Sequence, residues 1–318
     1  MEDGAEETAH ERGAVLILGP TAVGKSALAL SLADHYAIEI VNADALQVYR
    51  GLDIGTAKPS PGDRERVRHH LIDILDPSEP FSAGEFRRRA LPVVKEISRR
   101  GRIPVVVGGS GFYVRTLTAG ISPIPPVPPA IREEIGELCR RDGLAAVRER
   151  LAALDPETAG RLVDKDRQRI LRALEVVLAT GRGLAAWWAE EPASGGIKVA
   201  AKIGLTLPRA LLYDRITRRV ERMAKGGWVE EVKGLLTGGC QPTAPAFQAI
   251  GYRQVVLHIR GEWSLEKALE DTARETRRFA KRQLTWFRRE DDVEWIEAEP
   301  SAETLPKALA ALKGRIGD

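Results

Sequence analysis

This sequence predicts an α/β protein: a P-loop-type parallel sheet core interrupted by a helical insertion domain. Three observations carry that expectation. The apolar run Ala14 to Leu18 enters "GPTAVGKSALAL" at residues 19–30, and helical apolar spacing leaves it, which gives strand, loop and helix. Two further apolar runs, "IEIVNA" at 38–43 and "RIPVVVGG" at 102–109, end in polar or glycine-rich turns and read as strands buried on both faces, as in parallel sheets. Between 121 and 196 the texture is helical and bounded by breakers.

Along the chain, strand 14–18 is followed by a helix in "SALALSLADHY" (26–36), then by strand 38–43, an irregular stretch, and strand 102–109. A site is expected at the C-terminal ends of these strands. Five prolines in "ISPIPPVPPA" (121–130) can continue neither a helix nor a central strand and mark a linker. Residues 131 to 191 carry Leu, Ile, Val and Ala at helical spacing, as in "AAVRERLAAL" and "RQRILRALEVVLATG", up to a second breaker, "EEPASGG" at 190–196. Trp187 and Trp188 near its end are expected to pack. "KVAAKIGLTLP" (198–208) is strand-like again, and the rest reads as mostly helical. The expected division is 1–120 with 197–318 as the core and 121–196 as the insertion, with breakers placed to act as hinges.

The 318 residues are 43% hydrophobic and 29% charged, a soluble globular composition, and the net charge of +3 barely favours a polyanionic partner, so local clusters must carry that argument. Cys139 and Cys240 lie far apart and form no C-x-x-C, which suggests neither a disulfide framework nor a zinc knuckle and fits a reducing compartment. The polar, acidic opening "MEDGAEETAHER" fits neither a signal peptide nor an Arg-rich transit peptide and is expected to fray. No apolar run approaches membrane-spanning length, so a cytoplasmic protein without membrane contact is expected.

Gly19, Gly24, Lys25 and Ser26 occupy the fixed points of G-x-x-x-x-G-K-[ST]. In such a loop, inward-pointing amides, a helix dipole and the lysine charge hold phosphates, and Ser26 suits magnesium or a phosphate oxygen. The motif specifies an oligophosphate and is silent about which. A kinase or ATPase would add a strand ending in an acid for the metal. "IPVVV" instead runs into "GGSGFYVR" (108–115), and Asp73 in "HLIDIL" is the available substitute. Gly108, Gly109 and Gly111 with Ser110 either bring more amides to the crevice or form a plain tight turn. Asp44, just past the second strand, is either a helix cap or a carboxylate facing the crevice. "RETRRFAKRQLTWFRR" (274–289) sets seven Arg or Lys against one Glu. Ala273, Thr276, Ala280, Leu284 and Phe287 share its apolar face, leaving Arg274, Arg277, Arg278, Lys281 and Arg288 for solvent or for phosphates.

"GPTAVGKSALAL", "NADALQVYRGLDIGTAKP", "HHLIDILDPSEPFSAGEF", "VVVGGSGFY", "DRQRILRALEV", "FQAIGYRQ" and "FAKRQLTWFRR" resemble, in this order, the motifs of the tRNA dimethylallyltransferase family. The resemblance implies transfer of a dimethylallyl group from its diphosphate to the exocyclic amine of the adenosine after the anticodon of tRNAs reading U-initial codons. It implies Gly19, Pro20, Thr21, Ala22, Val23, Gly24, Lys25 and Ser26 as the diphosphate site, with Mg2+ at Ser26, and Asp44, Ser110 and Arg215 as catalytic residues. For tRNA it implies Asp44, Ala45, Leu46 and Gln47, then Ser110, Arg132, and Gln168, Arg169, Ile170, Leu171 and Arg172. It adds Gln248, Ala249, Ile250, Gly251, Tyr252 and Arg253, and Lys281, Arg282, Gln283, Leu284, Thr285, Trp286, Phe287 and Arg288. The implied enzyme is a cytoplasmic monomer. Asn42 and Ala45 stand where the family more often has Ser, and "RLVDKD" (161–166) departs from its "RIHPND". The rivals are a P-loop kinase, a transferase acting on free adenosine phosphates, and an RNA-binding module without catalysis.

Overall fold

The computed structural model describes residues 12–190, 195–299 and 301–316. The acidic opening and most of the breaker at 190–196 lie outside them. Six parallel strands form one sheet: β1 (Ala14–Leu18), β2 (Ile38–Asn42), β3 (His69–His70), β4 (Ile103–Val107), β5 (Val199–Thr206) and β6 (Val293–Glu297), in the order β3-β2-β4-β1-β5-β6. Every residue of β1, β2 and β4 is buried, which is why those runs show no polar alternation.

The helices follow in chain order: α1 (Lys25–Leu32), α2 (Pro61–Arg66), α3 (Ala83–Arg99), α4 (Gly111–Ala119), α5 (Pro129–Arg141), α6 (Gly143–Leu154), α7 (Pro156–Arg161), α8 (Arg167–Thr180), α9 (Leu184–Trp188), α10 (Arg209–Lys225), α11 (Trp228–Thr237), α12 (Tyr252–Ile259), α13 (Leu265–Phe287) and α14 (Ser301–Leu312). The chain divides into two compact units, Met1–Thr118 with Gly196–Asp318, and Ala119–Gly195.

In the first unit, strand alternation separates two apolar layers. Val15 and Ile17 point to one face, where they meet Val105, Ile203, Leu28 and Leu312; Leu16 and Leu18 point to the other, with Phe86, Leu117 and Phe287. A third cluster, built on Leu52, Trp228, Phe247, Tyr252 and Val255, underlies the irregular stretch after β2. Two edge strands were not anticipated. β3 has only two residues, and in β6 the sequence "VEWIE" buries Ile296 alone, so neither shows the continuous apolar run of a central strand. The first helix ends at Leu32, earlier than expected, because Ala33, Asp34 and His35 donate to carbonyls three residues back.

The second unit packs α5 to α9 around Ile135, Val147, Leu151, Ile170 and Leu174. Its α7 to α9 region is tied by buried Asp155, whose carboxylate accepts from Thr158 N at 3.1 Å and Leu184 N at 2.9 Å. Trp187 lies under the Arg182 guanidinium, whereas Trp188 is 45% exposed and, against expectation, does not pack.

Candidate active site

A cavity of about 1040 Å³ opens in the first unit at the C-terminal ends of β1, β2 and β4. Thr21, Ala22, Gly24, Lys25 and Ser26 line one wall, while Gly19, Pro20 and Val23 are buried beneath them and give the loop its shape. Gly24 has φ of 110°, a left-handed turn that delivers the chain into α1 and opens the helix N-terminus on the cavity. Lys25 Nζ donates to Gly19 O at 2.9 Å and Pro20 O at 2.8 Å. Burial of the ammonium lowers its pKa from 10.5 to about 7; nearby Asp44 partly offsets this, and Arg219 adds to it.

Beyond β2, Asn42, Asp44 and Gln47 reach the cavity. Asp44 answers both readings of the sequence. Its Oδ1 caps the following turn, accepting from Leu46 N at 2.8 Å and Gln47 N at 3.4 Å, while its Oδ2 makes no hydrogen bond among the described residues. Asn42 braces it from below: its Oδ1 accepts from Asp44 N at 3.3 Å, and its Nδ2 donates to Leu71 O at 3.2 Å. Thr56 and Ala57, from "GLDIGTAKP", form the adjoining wall. That loop is fixed by Lys58, whose side chain is 1% exposed and whose Nζ reaches Asp53 and Asp73 at 2.6 Å and Tyr49 O at 2.7 Å. Glu231 fixes it further, accepting from Asp53 N at 2.8 Å, Ile54 N at 2.6 Å and the Tyr252 hydroxyl at 2.7 Å. Asp73 is thus a structural acid: Lys58 and Arg64 hold its two oxygens, its pKa is lowered, and it does not line the cavity.

The "GGSG" turn after β4 serves close packing. A Cβ on Gly109 would lie 2.1 Å from Gln283 Nε2, and one on Gly111 would lie 2.2 Å from Trp286 Cδ1, so only glycine lets α13 approach. Gln283 uses that approach. Its Oε1 accepts from Thr21 N at 2.8 Å and its Nε2 donates to Gly109 O at 2.9 Å, joining the phosphate loop to the turn. Gly108 and Gly109 line the cavity; half-buried Ser110 does not, and its hydroxyl has no partner among the described residues.

Helix α10 supplies the opposite wall. Arg215, Arg218, Arg219 and Arg222 all line the cavity, spaced three and four residues apart and hence on one face. Sequence reasoning singled out Arg215 and missed the other three, although this spacing was legible. Arg215 is ion-paired with Glu299, and Arg218 with Asp214 at 3.0 Å. Arg219 donates to Thr56 O at 3.2 Å and has no carboxylate partner among the described residues; burial lowers its pKa.

The residues implied for RNA contact separate by exposure. Ala45, Leu46 and Gln47 are half-buried beside the cavity; Gln248, Arg253, Lys281, Arg282, Thr285 and Arg288 are exposed; Ala249, Ile250, Leu284 and Trp286 are half-buried. In the second unit, Gln168, Arg169 and Arg132 are exposed, Leu171 and Arg172 are half-buried, and Glu175 lies 3.3 Å from Arg172 and 4.0 Å from Arg132. Ile170, Tyr252, Gln283 and Phe287 have buried side chains that pack or brace the scaffold, and Gly251 is buried backbone; of these, Gln283 also lines the cavity. Arg277 is also engaged, with Tyr213 and Thr217, and is not free on the basic face.

Parallel sheet, phosphate loop and a polar cavity at the strand ends define a P-loop α/β protein. Within that class, residues 47–290 match the model described as IPP transferase, and this chain belongs to that family. It is 48% identical over 288 residues to the tRNA dimethylallyltransferase of Geobacter metallireducens, covering 89% of this chain and 92% of that one. Over 283 residues it is 49% identical to that of Geobacter sulfurreducens, with 89% and 91% covered. Among solved structures, the full-length tRNA isopentenylpyrophosphate transferase of Bacillus halodurans superposes with TM-score 0.68 at 36% identity, covering 94% of this chain and 96% of that one. A eukaryotic dimethylallyltransferase acting on tRNA superposes with TM-score 0.80 at 25% identity, covering 94% and 77%. Among the described residues, no helix is long and apolar enough to cross a membrane.

Proposed function

We propose that this chain transfers a dimethylallyl group from dimethylallyl diphosphate to the exocyclic amine of the adenosine following the anticodon in tRNAs that read U-initial codons. Its family and the names of its relatives support the reaction. The observation that carries the mechanism is one cavity shared by a phosphate loop, a carboxylate with one oxygen unengaged, and an arginine without a counterion.

In that reading the diphosphate lies against the α1 N-terminus, Lys25 and Ser26, faced by Arg219. Charge develops on it as the bond from the allylic carbon to the bridging oxygen breaks, and these groups stabilise that charge. The amine nitrogen bonds to the same carbon, its proton passes to Asp44 Oδ2, and the bonding electron pair leaves with diphosphate. An aromatic amine is a poor nucleophile, so the proton acceptor matters. No step hydrolyses a nucleotide, which accords with β4 ending without an acid and with Asp73 being engaged elsewhere.

Magnesium fits this site as an ion carried with substrate. Among the described residues no group of three or more His, Cys, Asp or Glu is placed to hold a metal, whereas Ser26 lines the cavity as a single hydroxyl ligand. Bound there with the diphosphate, it would add positive charge at the leaving group. The reading includes action as a monomer in the cytoplasm, where a tRNA substrate is met. Exposed Gln168 and Arg169 support a role for the helical unit in gripping the anticodon stem.

The test is incubation with radiolabelled dimethylallyl diphosphate, magnesium and either unmodified tRNA or AMP, followed by digestion and chromatography. Label on the adenosine beside the anticodon is expected. Label on AMP alone would move the chain to free nucleotides, and phosphate release from ATP without any label would restore the kinase alternative.

A further inference from the structure

Phe112, the second residue of α4, is 51% exposed and belongs to none of the apolar clusters formed by the described residues. Its neighbour Tyr113, by contrast, is buried and stacks on Phe86 with centroids 4.7 Å apart. A large ring left in water forgoes the stabilisation that burial would give, so its position calls for a partner. Among the described residues its one aromatic contact is edge-on with Trp286, at 6.4 Å between centroids and 76° between planes. Trp286 is itself held in place, its indole lying against the Gly111 backbone so closely that no Cβ fits between them. Phe112 thus has a rigid buttress and an open ring, three residues beyond Gly109 on the cavity wall.

Trp286 also lines a shallow basic cavity of about 430 Å³, with Arg278, Lys281, Arg282, Thr285 and Arg289. Arg278 pairs with Glu275, but Lys281, Arg282 and Arg289 have no carboxylate partner among the described residues. An exposed aromatic ring beside unpaired cations is the combination that holds single-stranded nucleic acid: the ring stacks a base and the cations neutralise phosphates. Double-stranded RNA offers no free base face, and the charge opposes a basic partner.

We propose that Phe112, buttressed by Trp286, is a stacking platform for an unpaired RNA base adjacent to the adenosine that is modified, with Lys281, Arg282 and Arg289 holding that strand's phosphates. This rests on RNA being the acceptor, as proposed above. Because Phe112 is outside the cores, it can be changed without loss of the fold.

The experiment uses anticodon stem-loop RNA in which the native base on one or the other side of the target adenosine is replaced by its own photoreactive analogue, 8-azidoadenosine where that base is adenine, irradiated with the full-length protein and mapped by mass spectrometry. With wild type, a crosslink to Phe112 or Trp286 is expected from one of the two RNAs. Phe112→Ala should lose the Phe112 crosslink and raise KM for RNA by roughly tenfold, with KM for dimethylallyl diphosphate and kcat unchanged; Phe112→Tyr should restore both. Wild type that prenylates the RNA yet crosslinks elsewhere, with Phe112→Ala keeping its KM, overturns the platform alone. Wild type that prenylates no RNA overturns the acceptor, and the platform falls with it.

Discussion

Replacing Lys25 with Met should make the protein more stable in a way that disappears as pH rises. The lysine carries a folded-state pKa of about 7 against 10.5 in its ordinary state. Its folded pKa is depressed, so the unfolded chain binds more protons between these values and wild-type stability must rise with pH across that window. Below about pH 7 both states hold the proton and the penalty is flat, at most about 5 kcal/mol from 3.5 units at 1.36 kcal/mol each. Raising the pH from about 7 to about 9 should return about 2 kcal/mol of that to wild type, less to the extent that cavity water screens the charge. Lys25→Met removes the titrating group and keeps a similar length. Its lost hydrogen bonds to Gly19 O and Pro20 O enter as an offset of about 1 kcal/mol each at every pH. The measurement is urea unfolding of both proteins at several pH values, taking the difference so that all other titrations cancel. Met should gain least, relative to wild type, at the highest pH. A difference that stays constant between about pH 7 and about pH 9 would refute the claim that this ammonium is held at a cost.

The same lysine should make diphosphate binding take up a proton above about pH 7, since a bound anion favours the ammonium; calorimetry in buffers of different ionisation heat should detect the uptake, and Lys25→Met should abolish it. Asp44→Asn should cut kcat by about 10²–10⁴-fold while tRNA affinity, read by filter binding, stays within about twofold. Gly109→Ala should destabilise by about 1–3 kcal/mol and lower activity, because the new methyl drives Gln283 off the phosphate loop; a melting curve equal to wild type would contradict the contact. Lys58→Met should cost about 1–3 kcal/mol in chemical unfolding, since Tyr49 O and Asp73 would lose their hydrogen bonds to the buried ammonium.

How far the chain could be read depends on how local each signal is. β1, β2 and β4 were visible because strands buried on both faces need uninterrupted apolar residues, whereas β3 and β6 take their structure from a neighbour's backbone and need no such run. Asp44 and Lys25 were found because each follows a strand, where the fold exposes side chains to the crevice. Arg219 was passed over for Arg215. In sequence the two are equivalent helix charges; the Glu299 pairing of Arg215, and the burial of Arg219 with its bond to Thr56 O, separate them. The basic helix α13 has the apolar seam its spacing predicts, in Ala273, Ala280 and Phe287, and leaves Lys281, Arg282 and Arg288 exposed. Its Gln283 is instead buried, because two glycine-lined approaches bring the helix against the turn after β4.

The sequence by itself determined the parallel core, the phosphate loop and the family, since all three are written in short contiguous patterns. Tertiary structure decided which charges are engaged and which are left to meet a ligand, because pairing and desolvation depend on residues far apart in the chain. Thr21 and Gln283 are 262 positions apart, and Arg215 and Glu299 are 84 apart. No local pattern encodes such distances; they are set by packing the strands and α10, α13 and their neighbours around one cavity.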